Sequence, residues 1–162
     1  MSTWQALEAF HRDGRARSIG VSNFTVEHLE RLLSETDVVP AVNQIELHPY
    51  LVNAELRDFG EEHGIATEAW SPIAQGGVLD DPVIVAIARR LGRTPAQVVL
   101  RWHLERGSIV FPKSTTPARV AENFAIFDFH LAPDDIDAIA ALDRGEAGRT
   151  GPNPDAFAHV PA

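Results

Sequence analysis

The sequence predicts an α/β fold with parallel strands, and two observations support this. Four short apolar segments, which begin near residues 18, 41, 65 and 108, are typical of buried strands. The segments between them have helical periodicity and helix-capping residues. Strands that alternate with helices are normally parallel and are joined by right-handed crossovers. Four such strands form either an open sheet or half of a barrel.

The length of the chain limits how large this fold can be. The chain has 162 residues, whereas a complete barrel of eight strand–helix units needs about 250 residues at roughly 30 residues per unit. We therefore expect a single domain and almost exclude a complete eight-stranded barrel.

The first part of the chain contains three predicted strands. Apolar residues at helical spacing predict a helix over residues 3–13, and a buried strand that ends near Ser22 follows it. Thr25 is a typical N-cap for the next helix. The remaining elements of this part are a strand over 41–46, a helix capped by Asn53 that ends near His63, and a strand over 65–70.

Helix-capping signals are strong in the second part. Asp81 is an N-cap residue followed by Pro82 at the first helical position, and Thr94 with Gln97 forms a capping box. These signals predict helices over 82–91 and 94–105, then a strand over 108–112, a helix from Thr116 and a helix over 133–142. The tail over 145–162 is rich in glycine and proline, so we expect it to be loop-like or disordered.

Composition and charge exclude several classes of function. The chain has 14 basic and 23 acidic residues and a net charge of −9, which argues against a general nucleic-acid or membrane-surface binder. It has no cysteine, so disulfides, thiolate zinc sites and a cysteine nucleophile are excluded. The histidines show no metal-binding spacing, and His48, which precedes a proline, is interpreted as structural. No signal peptide or long apolar segment is visible, so we expect a cytoplasmic location.

Polar and aromatic residues follow the first three predicted strands. In parallel α/β folds, ligands bind at the carboxyl ends of strands. Ser22 and Asn23 can hydrogen-bond an amide or a sugar, or only cap the next helix. Gln44 can pair with a carboxamide or be satisfied by backbone. Trp70 can stack on a flat ring or belong to the core. Gly76 and the glycine after it permit close approach of a ligand, or simply form a turn.

The fourth strand end has the most specific chemistry. Lys113, the only lysine, is followed by three hydroxyl residues and then by Arg119, and no acidic residue occurs between positions 106 and 121. The predicted helix N-terminus presents free N–H groups that suit a phosphate, and an arginine can bind two phosphate oxygens at once. These residues therefore predict a phosphate site, with a solvated helix cap as the alternative.

Taken in order, the strand ends resemble one enzyme family. The motifs are residues 18–24 (SIGVSNF), 42–49 (VNQIELHP), 70–72 (WSP) and 112–123 (PKSTTPARVAEN). Together they strongly resemble the aldo-keto reductase family. The segment over 149–155 (RTGPNPD) looks like the tails of its bacterial members, including the 2,5-diketo-gluconate reductase group.

The resemblance implies a fold and an activity. It implies that residues 1–144 form the C-terminal half of a (β/α)8 TIM barrel, the half that binds the cofactor, and that residues 145–162 are its C-terminal tail. The family binds NADPH and transfers a hydride from the nicotinamide to a small carbonyl compound such as an aldehyde, a ketone or a keto-sugar acid. Phe157 and His159 either reach the substrate pocket or belong to a disordered end.

The resemblance also implies roles for particular residues. The nicotinamide carboxamide would be held by Ser22, Asn23 and Gln44, and its ring would stack on Trp70. The pyrophosphate would lie along Ser71, Ile73, Gln75 and Gly76. The 2′-phosphate would be bound by Lys113, Ser114, Thr115 and Arg119, with Glu122 and Asn123 near the adenine. The two cations favour NADPH over NADH.

The catalytic residues of the family have no match in this sequence. The family uses a tyrosine as proton donor together with a lysine, an aspartate and a histidine, which all lie in the first half of its barrel. The lone tyrosine, Tyr50, follows the second strand, where the family has no proton donor. We therefore expect no catalytic residue in this chain and an inactive isolated chain.

A non-enzymatic role is the alternative. A half-barrel exposes strand edges and apolar surface, which favours self-association. The chain would then act as a nucleotide-binding or self-assembling module.

Overall fold

The computed structural model of the chain describes residues 2–156, so Phe157 and His159 lie outside the described residues. The strands are β1 (Val21–Ser22), β2 (Val42–Glu46), β3 (Ala66–Trp70) and β4 (Ile109–Val110). The helices are α1 (Ser2–Arg12), α2 (Val26–Glu35), α3 (Ala54–Glu62), α4 (Pro82–Leu91), α5 (Pro95–Glu105), α6 (Pro117–Phe124) and α7 (Pro133–Ala140). Two 3-10 helices span Ala74–Gly76 and Gly145–Gly148.

The strands form one parallel sheet in the order β1-β2-β3-β4, with helices between them in the chain. Val21 lies opposite Asn43 in the register of β1 and β2. The predicted α/β class with parallel strands is therefore confirmed. β1 is shorter than predicted, but backbone hydrogen bonds continue on both sides of it. Ala41 donates to the carbonyl of Ile19, and Asn23 donates to that of Gln44.

The described residues divide into two compact units. Unit 1 contains the residues up to Ile45, then Ala54–Glu68 and the residues from Pro154 onward. Unit 2 contains Glu46–Asn53 and Ala69–Asn153. Both β2 and β3 contribute residues to each unit.

The core of unit 1 is formed by Trp4 of α1, Ile19 before β1 and Leu32 of α2. The predicted N-cap of α2 is confirmed, because Thr25 Oγ1 accepts a hydrogen bond from the backbone N–H of His28 at 3.5 Å. The backbone N–H of Thr25 in turn donates to His28 Nδ1 at 3.3 Å. Histidine thus takes the place that glutamate or glutamine has in the usual capping box.

Unit 2 contains the larger core and the predicted caps of α4 and α5. Asp81 accepts the backbone N–H of Val83 at 2.9 Å, and Pro82 follows at the first helical position. Thr94 and Gln97 form the predicted capping box of α5. The core side chains come mainly from α4, α5 and α7 and are Val52, Ala74, Val78, Ile84, Ile87, Ala88, Val98, Val99, Trp102, Leu131 and Ile139.

The capping box of α5 also holds the last turn of α6. The side-chain amide of Gln97 donates to the carbonyl oxygens of Glu122 and Ala125, at 3.2 and 3.0 Å. The hydroxyl of Thr94 donates to Glu122 Oε1 at 2.7 Å. The C-terminal end of α6 is therefore fixed by side chains at the start of α5.

Two predicted features have contacts or turns that the sequence did not indicate. Asn53 has a left-handed φ of 46°, and its amide donates to the carbonyl of Glu46 at 2.7 Å, so this side chain is used in a tertiary contact. The tail, expected to be loop-like, begins with a 3-10 helix over Gly145–Gly148. The backbone N–H groups of Thr150 and Gly151 then bind the Glu46 carboxylate, which orders this part of the tail.

Candidate functional site

The end of β1 presents two polar residues to solvent in unit 1. Ser22 is exposed, and its hydroxyl donates to the carbonyl of Gln44 at 3.0 Å. Asn23 is also exposed and has a left-handed φ of 59°. Because Thr25 is the cap of α2, neither residue is needed for that purpose. The capping alternative is therefore wrong, and both residues remain candidates for ligand binding.

Gln44 is held by a neighbour that sequence reasoning did not find. Its Nε2 donates to Glu68 Oε2 at 3.1 Å, from β2 to β3 within unit 1. The carboxylate fixes the orientation of the amide group, since it accepts only from the nitrogen. Glu68 stands two residues before Trp70, on the same face of β3. The alternation of side chains along a strand was therefore the sequence signal that could have indicated this neighbour.

The backbone after β3, in unit 2, is strained. Trp70 ends the strand and is half-buried. Ser71, Ala74 and Gln75 follow with φ angles of 49°, 48° and 55°. Each left-handed residue that is not glycine costs about 1–2 kcal/mol. Such strain is concentrated at ligand-binding and active sites in proteins, and here it coincides with the predicted pyrophosphate segment.

The predicted residues of this segment differ in exposure. Gln75 is exposed, whereas Ile73 is half-buried and packs against the core of unit 2. Gly76 has a φ of 98° and open space where a Cβ would lie. Ile73 therefore packs this segment against the core, while Gln75 and Gly76 leave it accessible to a ligand.

The segment after β4 and the first turn of α6 carry unpaired positive charge. Lys113 and Arg119 are exposed, and within residues 2–156 neither forms an ion pair. Thr115 is exposed as well, while Ser114 Oγ accepts the backbone N–H of Thr116 at 3.2 Å. The first turn of α6 has no side-chain cap, so its N–H groups are open to an anion.

A cavity of about 530 Å³ lies beside these residues in unit 2. Lys113, Ser114 and Asn123 supply its polar groups, and its other lining residues are mostly apolar, from β4, α6 and the segment after α6. Its volume is within the range of small-molecule sites. Glu122 is nearby in sequence, but its carboxylate accepts the Thr94 hydroxyl.

Glu46 forms a buried cluster that the sequence analysis did not predict. Its side chain is fully buried, and Oε1 accepts the backbone N–H of Thr150 at 2.6 Å and the Thr150 hydroxyl at 2.5 Å. His48 Nε2 donates to the same oxygen at 3.1 Å, and Arg149 Nη1 lies 3.5 Å from Oε2. Burial alone would raise the pKa of Glu46, but the hydrogen bonds from Thr150 and His48 lower it below its usual value.

His48 is fully buried beside Glu46 in this cluster. Burial lowers its pKa, although the neighbouring Glu46 carboxylate acts in the opposite direction. A neutral imidazole that donates from Nε2 carries no hydrogen on Nδ1. The interpretation of His48 as a structural residue agrees with its complete burial.

Neither a metal site nor a membrane helix is found in the part of the chain that the structure describes. Within residues 2–156, no three histidine, aspartate or glutamate side chains are grouped so that they could hold a metal ion. No helix there is both long and apolar enough to cross a membrane.

Comparison with protein families decides the membership of the chain. The model of the aldo/keto reductase family matches residues 1–144. This chain belongs to the aldo/keto reductase family. The match confirms the resemblance that the four strand-end motifs carry.

Named relatives of this aldo/keto reductase chain include bacterial reductases. An aldo-keto reductase of Mycolicibacterium smegmatis is 55% identical over 157 residues, which cover 97% of the chain and 56% of the relative. The methylglyoxal reductase DkgA of Salmonella typhimurium is 50% identical, and the match covers 97% of this chain and 57% of that protein. The glyoxal reductase of Bacillus subtilis is 50% identical and is covered to 55%. The chain thus spans a little over half the length of these relatives.

Solved structures of the family have the same fold. A crystal structure of a Gox0644 mutant in complex with NADPH has a TM-score of 0.94 and 52% identity, over 97% of this chain and 58% of that one. An aldo-keto reductase of the silkworm Bombyx mori, also complexed with NADPH, has a TM-score of 0.82 and 38% identity, over 88% of this chain and 47% of that one. The four-stranded sheet with its flanking helices is therefore part of the TIM-barrel fold of this family.

The only tyrosine of this aldo/keto reductase chain contacts Asp81 and Arg144. The hydroxyl of Tyr50 donates to Asp81 Oδ2 at 2.9 Å, and the Arg144 guanidinium lies 3.5 Å from the ring centroid. Burial and the Asp81 carboxylate raise the pKa of Tyr50.

Proposed function

We propose that this chain is the cofactor-binding part of an NADPH-dependent aldo-keto reductase that reduces small carbonyl compounds to alcohols. The observation that carries the proposal is the pair of unpaired cations, Lys113 and Arg119, beside the open N-terminus of α6. In a chain with 23 acidic residues, two cations that have no carboxylate partner among residues 2–156 suit a ligand that carries its own negative charge. The 2′-phosphate of NADPH is such a group.

The candidate residues are suited to different parts of the cofactor. In unit 1, Ser22, Asn23 and Gln44 offer amide and hydroxyl groups for the nicotinamide carboxamide. In unit 2, Trp70 offers a ring for stacking, and the strained segment with Ser71, Ile73, Gln75 and Gly76 allows backbone to approach a pyrophosphate. Lys113, Ser114, Thr115 and Arg119 would take the 2′-phosphate, and Glu122 and Asn123 the adenosine. When bound, the cofactor supplies the hydride for carbonyl reduction.

The proton that completes the reduction would come from outside this chain. A general acid works best when its pKa is near the operating pH, but the pKa of Tyr50 is raised and its hydroxyl donates to Asp81. We propose that residues 1–162 supply no catalytic residue, and that the isolated chain binds cofactor without reducing carbonyls.

The test begins with the intact mass of the native polypeptide from its source. A mass well above 17.7 kDa identifies a longer reductase, which is then assayed for NADPH oxidation with aldehydes, ketones and keto-sugar acids. Methylglyoxal and glyoxal belong to this set, since two relatives are named for them. Absence of turnover across the whole set would contradict the proposed activity.

A self-assembling module is the second candidate, and one surface of unit 2 favours it. Phe111, Val120, Phe124 and Phe127 are large apolar residues that are between 49% and 75% exposed. The rings of Phe124 and Phe127 form an edge-on pair with centroids 5.5 Å apart. An apolar surface of this kind promotes association. Gel filtration of the 162-residue chain tests this, because a monomer of 17.7 kDa would contradict it.

A further inference from the structure

The indole ring of Trp70 packs against a glycine near the C-terminal end. A Cβ atom on Gly151 would lie 2.4 Å from Trp70 Cη2 and 3.2 Å from Cζ3. Real Cβ atoms do not approach other atoms as closely as 2.4 Å, so only glycine fits against the ring in this position. The edge of the Trp70 ring is therefore in direct contact with the tail.

The Glu46 carboxylate fixes that part of the tail. Oε2 of Glu46 accepts the backbone N–H of Gly151 at 3.1 Å, and Oε1 accepts both the N–H and the hydroxyl of Thr150. Arg149 is 3.5 Å from Oε2. These donors lie 103 to 105 positions away in sequence, so the cluster joins β2 to the tail within unit 2.

A buried carboxylate makes a strong anchor for such a segment. An ionised group removed from water is tolerated only when hydrogen bonds replace its hydration, and bonds to a charged acceptor are roughly twice as strong as neutral ones. The Glu46 side chain has 0% exposure. Removal of one of its donors therefore leaves a buried charge poorly satisfied and loosens the tail.

From these contacts we infer that Glu46, Thr150 and Gly151 are positioning residues for the cofactor: they hold the Trp70 ring in the plane on which the nicotinamide stacks. This inference rests on the proposed function, in which Trp70 is the stacking residue. None of the three touches the reacting atoms. Their effect passes through Trp70, so it is confined to the nicotinamide end of NADPH.

The experiment compares two ligands in the protein at its natural length. Dissociation constants are measured for NADPH and for adenosine 2′,5′-bisphosphate, which has the phosphates but no nicotinamide. Gly151→Ala forces the Trp70 ring to move. It should weaken NADPH about fivefold, since one aromatic stack contributes about 1 kcal/mol, while the affinity for the bisphosphate stays the same. Retained bisphosphate binding also shows that the variant folds.

A second pair of variants separates the anchor from the glycine. Thr150→Val removes the hydroxyl that donates to Glu46, whereas Thr150→Ser keeps it. We expect weaker NADPH binding in the valine variant and rescue in the serine variant, again without a change for the bisphosphate.

A double-mutant cycle shows whether the effect passes through the ring. In a Trp70→Ala background the ring atoms that a Cβ on Gly151 would meet at 2.4 and 3.2 Å are absent, so Gly151→Ala should add no further loss of NADPH affinity. Additive losses would overturn the inference, and so would equal losses for NADPH and the bisphosphate. If the unaltered protein bound neither ligand, both the proposed function and this inference would fail. Unchanged NADPH binding in Gly151→Ala would overturn the inference but not the proposed function.

Discussion

The hydroxyl of Tyr50 donates to one carboxylate oxygen of Asp81, and the other oxygen of Asp81 caps α4. One carboxylate thus satisfies both a tyrosine and the first turn of a helix. From this relationship we expect the only tyrosine in the chain to have a structural role.

Replacement of this tyrosine should affect stability and not chemistry. Tyr50→Phe removes one hydrogen bond, so we expect the free energy of unfolding to fall by about 1 kcal/mol. The kcat of the proposed longer reductase should change by no more than about twofold. Loss of a catalytic proton donor would instead lower kcat by about 10²–10⁴-fold. Urea unfolding and steady-state kinetics provide the two measurements. A hundredfold loss of kcat with an intact fold would make Tyr50 a catalytic residue.

The cations before and in α6 should control the choice between NADPH and NADH. Lys113→Met and Arg119→Ala should each weaken NADPH by about tenfold or more, as expected for loss of a charge-assisted hydrogen bond. NADH lacks the 2′-phosphate and should bind almost as before. Arg89→Ala is the matched control, since Arg89 is also exposed and without an ion pair within residues 2–156. Equal weakening of both cofactors would reject a 2′-phosphate site here.

Tryptophan fluorescence should report binding of the nicotinamide next to Trp70. The chain has three tryptophans, and Trp4 and Trp102 are buried in the two cores. Trp70→Ala should abolish most of the quenching that NADPH causes and weaken its binding. Trp70→Phe, which keeps a ring, should retain most of the affinity. Quenching that persists in Trp70→Ala would place the nicotinamide elsewhere.

The Glu46–His48 pair predicts a loss of stability in mild acid. His48 has a lowered pKa in the folded chain, so below about pH 6.5 the unfolded chain binds more protons. The free energy of unfolding should therefore decrease as the pH falls through that value. The lowered pKa of Glu46 adds a further loss only at lower pH, as its folded form becomes protonated.

The measurement is urea unfolding at about pH 7.5 and pH 5.5, on either side of the histidine pKa. His48→Gln should reduce the difference between the two conditions, because glutamine does not titrate. His63→Gln, at an exposed position, should leave it unchanged. An identical pH dependence in His48→Gln would exclude a contribution from His48.

Local signals in the sequence were sufficient for most elements of the fold. The caps of α4 and α5 were predicted correctly because Asp81 with Pro82 and Thr94 with Gln97 act over three residues or fewer along the chain. The side-chain contact of Asn53 was not predicted, for the opposite reason. Its amide donates a hydrogen bond to the carbonyl of Glu46. This contact depends on the path of the folded chain and not on capping signals in the adjacent residues.

The buried cluster could not be predicted for the same physical reason. The tail partners of Glu46 lie more than 100 residues away, and they include a hydroxyl and backbone N–H groups in a segment rich in glycine and proline. No periodicity or spacing relates such positions. Trp70 was identified from its place at a strand end, but nothing local indicated that Gly151 would lie against its ring.

The two ends of α6 differ in how strongly the rest of the protein holds them. Thr94 and Gln97 hold its final turn, while its opening turn and the residues before it contribute little to packing, with Arg119 and Lys113 both exposed. Residues 113–119 can therefore be exchanged with little thermodynamic penalty. Under the proposed 2′-phosphate role, this segment would be a practical place to re-engineer coenzyme preference without altering the scaffold beneath.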